Sequence, residues 1–359
     1  MGFMSFTSLP MIPDFQIRKP AKRLSLDQVR DMVRNHLEKI RDMEGPYGSY
    51  RMGIGQRPDL YSSCDVAQIR TIWGEDLQTD LSAKQKTEWI DHINSFANKE
   101  DGSYFDRYNH SKFHANGMTI GALGPLGGKQ AYPVRLYDEF NTTDKIIPWL
   151  ENINWSRLWP ASHKFWGGII CYSMSKQCKD GWLEKVLDWL DQELNTDTGF
   201  WRKGVTYDDR HQALGGSVRI FPLFEHHHRP FHYPRQVIDS VLEMQLPNKR
   251  WLIRPGSGFM HYFELDALYA LKYMQSLEPG YRRKDIEKAV REYGSQVIDY
   301  WHNDKEDILN RHPHRILSAI GTFGLLQQHL PDMFFDDTTW TDIFSDPRFT
   351  KTYAVEILQ

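Results

Sequence analysis

TDTGFWRKGVTYDDRHQALGG, residues Thr196 to Gly216, reads as a tight turn, an aromatic pair, a charged loop and then a Gly/Ala-rich helix that opens at His211. The chain carries nearly the same plan once before. KEDGSYFDRYNHSKFHANG, Lys99 to Gly117, also ends on a histidine, His114, at the head of a small-residue helix. Two copies of one unit point to a repeat architecture, and its period is the first quantity to find.

Working outward, the chain alternates between two kinds of helical segment. The first kind is charged and amphipathic. In Ser25–Met43, for example, Ser25 is placed as an N-cap and Val29, Met32, Val33, Leu37 and Ile40 form one stripe. Such a helix faces water on one side. Segments of this kind recur at Ser82–Ala97, Asp144–Asn152, Gly181–Leu194, Tyr233–Gln245 and Lys284–His302. The second kind is poor in charge and rich in Gly, Ala and Ser, as in VAQIRTIWG, ANGMTIGALG, KFWGGIICYS and QALGGSVRIF. Small residues and few charges suit helices that are buried all round and approach closely. These second members begin near residues 65, 114, 163, 211, 261 and 314, a period of about fifty. No strand-type alternation competes, so the expected class is all-α. Twelve helices alternating outer and inner close into a ring, an (α/α)6 toroid over residues 26–329. Residues 1–25 form an N-terminal extension, and residues 330–359 a C-terminal extension packed on the toroid.

Period and helix character together resemble the (α/α)6-toroid superfamily, which includes six-hairpin glycan-processing enzymes and the terpenoid cyclase/protein prenyltransferase toroids. EDGSY and DTGFW are similar to the turn repeats of the terpenoid branch. The resemblance implies the fold and leaves the chemistry to the residues of the site.

Composition narrows the function. A formal charge of -3 offers no basic face for nucleic acid. No apolar run reaches some 18 residues, so no membrane span is expected, and the start lacks a signal-peptide pattern. Cys64, Cys171 and Cys178 are odd in number and widely spread, which suits a reducing, cytoplasmic setting without a disulfide framework. The aromatic supply is large: 12 Trp, 17 Tyr and 19 Phe beside 15 His. Rings in that quantity fill a core or line a cleft that stacks on other rings.

In such a ring the inner helices run the same way and gather their N-termini at one mouth. Free N–H groups and the partial positive charge there suit anionic ligands. The inner helices present Asp65 with Arg70, His114 with Asn116, His163 with Trp166, Asp209-Arg210-His211, His261-Tyr262 with Glu264 and Asp266, and His314-Arg315. Capping gives no reason to favour His over Ser or Asp, so the recurrence of histidine points to a cavity. A lone Asp65 reads equally as an N-cap.

Histidine exchanges protons near neutral pH. His114, His211, His261, Tyr262, Glu264 and Asp209 are therefore the catalytic candidates. Glu264 and Asp266, two apart on a helix, cannot face the same way, so one of them is structural. Asp65, Arg70, Asn116, His163, Trp166, Trp201, Arg210, His314 and Arg315 are candidates for binding substrate. Guanidiniums pair with a carboxylate-bearing sugar, and the Trp rings stack on sugar faces or fill core.

The expected function is acid/base chemistry on an anionic, uronate-type oligosaccharide, by elimination, hydrolysis or epimerisation. No cofactor or metal is expected. A zinc site from His114, His211 and His261 is conceivable, but HExxH and Cys-pair spacings are absent. His226-His227-His228 with His232 reads as a solvated loop, and GALGPLGGKQ lacks the phosphate-loop pattern. The alternatives are an isoprenoid cyclase or transferase, for which DxDD and DDxxD motifs are missing, and a non-catalytic glycan-binding toroid.

Overall fold

The turn that ends at Trp201 closes with an isolated antiparallel bridge between Leu194 and Trp201 in the computed structural model, which describes residues 22–108, 110–251 and 258–349. Bridges Arg41–Tyr50 and Ala97–Tyr104 repeat it. Each of these turns needs one left-handed residue, supplied by Gly48, Gly102 and Gly199 at φ 89°, 65° and 72°. A fourth copy at 246–251 puts Lys249 in that conformation at φ 65°, with Leu246 N–H donating to Arg250 C=O at 2.7 Å. The aromatic residue closing each turn, Tyr50, Tyr104, Trp201 or Trp251, is buried. Trp201 Nε1 donates to Leu190 C=O at 2.7 Å, and Trp251 Nε1 to Val241 C=O at 2.9 Å. Each indole thus pins its turn beneath the preceding helix. Trp201 also packs against Phe221, Phe224 and Phe231. It is a core plug, which corrects its assignment as a substrate-binding ring.

The described residues are predominantly helical, with one short strand pair among them. In chain order, α1 (Leu26–Ile40) precedes α2 (Leu60–Ile72). After the one-turn α3 (Leu77–Asp80), α4 (Ala83–Asn94) precedes α5 (Lys112–Leu126). Next, α6 (Ile146–Glu151) leads to a broken segment of α7 (Leu158–Ala161), a π-helical stretch Phe165–Ile170, and α8 (Cys171–Ser173). Then α9 (Trp182–Glu193) precedes α10 (His211–Ser217) and α11 (Phe221–His226). Finally, α12 (Pro234–Met244) precedes α13 (Tyr262–Leu277), and α14 (Arg283–Leu309) precedes α15 (Pro313–His329). No helix among the described residues is long and apolar enough to cross a membrane.

The two kinds of segment differ in burial as their composition requires. On α1 only the stripe Leu26, Val29, Val33, Leu37 and Ile40 is buried, whereas α5 buries every residue from Phe113 to Leu126. Contacts among the buried helices run from α2 to α5, on to the 158–173 segment, α10, α13 and α15, and back to α2.

Three boundaries depart from expectation. α2 begins at Leu60, with Asp59 as its N-cap, so Asp65 lies inside the helix and caps nothing. The expected helix from Ser162 to Ser175 runs over residues 163–173 and is π-helical at Phe165–Ile170, where Gly167 sits against the backbone of α5. A Cβ added there would lie 1.7 Å from Phe113 O. α14 continues past His302 to Leu309, through a non-helical Asp304.

The C-terminal segment crosses the end of the bundle opposite His114 and His314. Thr341 N–H donates to Ile72 C=O at 2.9 Å. Phe344 stacks on Tyr269 at 4.5 Å, and Lys272 pairs with Asp342 at 2.8 Å. His226 bonds Phe344 C=O at 3.0 Å and His227 bonds Ser173 Oγ at 2.8 Å. These two histidines therefore fasten chain segments, which corrects their reading as a solvated loop. The two-residue strands β1 (Leu24–Ser25) and β2 (Phe334–Phe335) pair in parallel and tie the first described residues to this segment.

Candidate functional site

The N-terminal ends of α5, α13 and α15 meet around a cavity of about 350 Å³. Its wall is an arc of rings. His163 lies 4.4 Å from His114 (centroid to centroid), which lies 4.7 Å from His110 and 5.4 Å from His314. His314 lies 5.0 Å from Tyr262, Tyr262 is 6.5 Å from His261, and His261 is 6.0 Å from Trp159. Gln212 closes the arc by accepting from Trp159 N–H at 3.0 Å. Arg157 stands at the rim, with its side chain 64% exposed. Arg219, 11% exposed, reaches the floor. Below lies a narrow space of about 20 Å³ that Ile343 and Phe344 of the C-terminal segment help to close.

Sequence explains how each group is held. Ser111 caps α5 by accepting from His114 N–H, which places His114 in the first turn. Two small-residue contacts bring the 158–173 segment close. Gly117 lies under the Trp166 ring, where a Cβ would be 2.7 Å from Cε3. Asn116 Nδ2 donates to Gly167 C=O at 2.6 Å and to Tyr137 Oη at 3.0 Å. His261 is the N-cap of α13, with Nδ1 accepting from Phe263 N–H at 3.3 Å, and Glu264 completes a capping box. Tyr262 Oη donates to His314 C=O at 2.8 Å.

Among the described residues that line the cavity none is a carboxylate, while five are histidines and two are arginines. Two buried carboxylates stand directly behind this lining. Asp65 accepts from His314 Nδ1 at 3.0 Å, and Asp266 lies 3.6 Å from Arg219 Nη1. Burial pushes Asp266 up to about 7 against the pull of the guanidinium, and raises Asp65 against the pull of His314. Burial, with the neighbouring imidazoles, holds His114 well below the ordinary histidine range, and burial with the Arg219 charge does the same for His163. Burial raises Tyr262 well above the usual phenol range, so it stays protonated. The cavity therefore offers the neutral imidazoles of His114 and His163, a phenol and two fixed cations to an incoming ligand.

Of the residues expected from sequence, His114, His163, His261, Tyr262 and His314 line this cavity, and Trp166 lines the space below it. Asp65 supports His314 from behind. The others sit elsewhere, for identifiable reasons. His211 is buried edge-on against Phe263 at 4.6 Å, with Asp209 accepting from its N–H at 2.8 Å as a local cap. Arg210 is exposed and bonds Met244 C=O. Arg70 pairs with Glu75 and stacks on Trp89, away from the cavity. Glu264 is the structural member of its pair, bound by Arg250 and accepting from Tyr293 Oη at 3.3 Å. Asn116 is consumed by backbone and side-chain bonds. Arg315, half-buried next to Arg311, is outside the lining, where burial and the Arg311 charge lower it from the usual arginine value.

Sequence reading missed His110, Arg157, Trp159, Pro160, Gln212 and Arg219. The signal for His110 was its closeness to His114 in HSKFH, although His110 precedes the Ser111 N-cap and so lies just outside α5. One ring nitrogen from each of His110, His114 and His314 lies within 4.8 Å of the others, close enough to share one metal ion. This triplet differs from the conceivable set of His114, His211 and His261, because His211 faces Phe263. Comparison with known proteins yields no matching family model and no matching curated protein.

Proposed function

We propose that this chain is an (α/α)6-toroid enzyme that acts on a carboxylate-bearing saccharide by general acid/base chemistry. The ring of contacts among the buried helices and the fifty-residue period support the toroid. One observation carries the chemistry: imidazoles, a phenol and two guanidiniums converge on a single cavity whose described lining holds no carboxylate. Hydrolysis through a pair of carboxyls needs two that reach the glycosidic bond, whereas Asp65 and Asp266 lie behind His314 and Arg219. The lining favours removal of a proton next to a carboxylate, as in β-elimination or epimerisation.

In this reading Arg219 and Arg157 neutralise the sugar carboxylate, which lowers the cost of developing negative charge on it. Trp159 packs on a ring face. His163 takes the proton from the carbon next to the carboxylate, and the electron pair forms the new double bond. In elimination the bond to the leaving oxygen breaks, and Tyr262 supplies the proton to that oxygen. In epimerisation no bond to oxygen breaks: His163 keeps the proton it removed, and Tyr262 instead gives its own proton to the opposite face of the carbanion. The cavity volume falls within the usual range for small-molecule sites, about 300–1,000 Å³. Among the described residues, the space below the cavity is narrow, about 20 Å³, and partly closed by Ile343 and Phe344, which leaves little room there for a prenyl chain.

The test is turnover of oligouronates, followed by the ultraviolet absorbance of an unsaturated product and by isotope exchange at the carbon acid. His163→Ala and Tyr262→Phe should each lower kcat by roughly 100- to 10,000-fold. Undiminished turnover in both variants overturns the assignment, and binding without turnover leaves a glycan-binding protein instead.

A further inference from the structure

The cavity contains a second arrangement that acid/base chemistry does not require. His110 and His114 stand four residues apart at the head of α5, and His314 joins them from the head of α15. One nitrogen from each lies within 4.8 Å of the others. The partners behind two of them are already arranged. Asp65, fully buried on α2, binds His314 Nδ1 at 3.0 Å. An anionic acceptor there fixes the proton on Nδ1 and turns the Nε2 lone pair away from Asp65. The Tyr61 hydroxyl binds His114 Nδ1, and it also accepts from His110 N–H at 3.3 Å. In the tautomer that donates to Tyr61, His114 likewise presents Nε2. The second carboxylate oxygen of Asp65 has no hydrogen-bond partner among the described residues. A buried anion held by a single imidazole is poorly compensated unless more positive charge lies beyond that imidazole.

We infer that His110, His114 and His314 form a binding site for a divalent transition-metal ion of the zinc class, with Asp65 and Tyr61 as orienting partners. Carboxylate–histidine–metal relays of this kind set tautomer and ring orientation at metal centres. Three imidazoles with a fourth position open to the cavity are the ligand set of a catalytic rather than a structural zinc site. Tetrahedral coordination at about 2.0–2.1 Å brings ligand nitrogens to roughly 3.4 Å apart. The triplet therefore tightens around the ion, and His110, exposed and ahead of the first turn of α5, makes most of that movement. Arg219 and Tyr262 line the same cavity as the three histidines, so an anionic oxygen of a ligand held there could complete the sphere. The metal assignment stands on this geometry alone and does not depend on the saccharide reading.

Metal binding is read without any substrate. The full chain, stripped with chelator, is titrated with Co²⁺ and followed by visible absorption, then competed with Zn²⁺. Expected is one equivalent bound with the intensity of a low-coordinate nitrogen site. His110→Ala and His314→Ala should each weaken binding at least 100-fold. Asp65→Asn should weaken it roughly 10- to 100-fold, while His227→Ala leaves it unchanged. His110 is exposed, so its loss spares the core, and circular dichroism checks the fold of each variant. Absence of stoichiometric binding by the wild-type chain overturns the proposal. So does binding that survives both His110→Ala and His314→Ala.

Discussion

Replacing Gly167 by Ala tests whether the site depends on the close approach of this glycine to the backbone of α5. The new methyl carbon would lie 1.7 Å from Phe113 O, 2.7 Å from Phe113 C and 2.9 Å from Gly117 N. All three are backbone atoms, so no side chain can rotate out of the way and the segments must separate by more than an ångström. Overpacking of this kind costs about 1–3 kcal/mol, and rigid neighbours put it near the top of that range. Ala returns up to about 1 kcal/mol through helix propensity, which leaves a net loss of about 2 kcal/mol. At roughly 2.1 cal/mol/K per residue over 359 residues, that lowers Tm by about 3 °C. The functional consequence should be larger than the thermal one. Phe113 precedes His114, and His163 lies one helical turn before Gly167, so prying the segments apart separates the two imidazoles. Melting by calorimetry and oligouronate turnover should therefore fall together. Gly280→Ala, with nothing within 4 Å of the new carbon, is the control and should do neither. A Gly167→Ala protein that melts and turns over like wild type refutes the claim that this approach positions the site.

Three further outcomes follow from the same contacts. Trp201→Ala should cost about 3–5 kcal/mol in denaturant unfolding, as a buried indole with a lost bond to Leu190 C=O, yet leave saccharide affinity intact. Trp159→Ala should do the reverse, and equal behaviour of the two would undo the division between core plug and cavity wall. Asp209→Ala should destabilise by about 1 kcal/mol through loss of the cap on His211 N–H, measurable by chemical denaturation at pH 7. His92, bonded to Ser63 Oγ, is lowered to about 4 by burial, with Asp42 and Asp106 pulling the other way. The unfolded chain, near 6.5, then binds the extra proton first. Its contribution is complete above pH 6.5 and is lost as pH falls toward 4, by up to about 3 kcal/mol. His92→Gln should flatten that part of the stability–pH curve, and an unchanged curve contradicts the buried neutral imidazole.

Much of the fold was legible because burial writes itself into composition. The stretch around Ala115–Leu123 can pack on several sides only without charge, and its Gly and Ala content says so. The turn motif was equally visible, since φ near 70° calls for Gly in EDGSY and DTGFW. What those turns do with their aromatic residue was not visible. Trp201 inside and Trp159 outside look alike until the third dimension assigns them. The site was half legible for a related reason. Helix-start histidines announced the mouth, but distinguishing His211 from Gln212 is a matter of about 100° of helix rotation, which the start of a helix does not fix. Arg219 was hidden because it follows α10 and reaches back from beyond the helix. For Asp65 the choice between cap and substrate-binding residue was open because the polar run before α2 allows more than one starting residue; Asp59 is the one that caps.

The most direct measurement is a crystal structure of the His163→Ala protein with a bound oligouronate. The account predicts a sugar carboxylate within hydrogen-bond distance of Arg219 or Arg157. It also predicts a ring face against Trp159 and the acidic carbon facing the space vacated by the His163 imidazole. A saccharide bound elsewhere, or an oligouronate that leaves this cavity empty at saturating concentration, contradicts it.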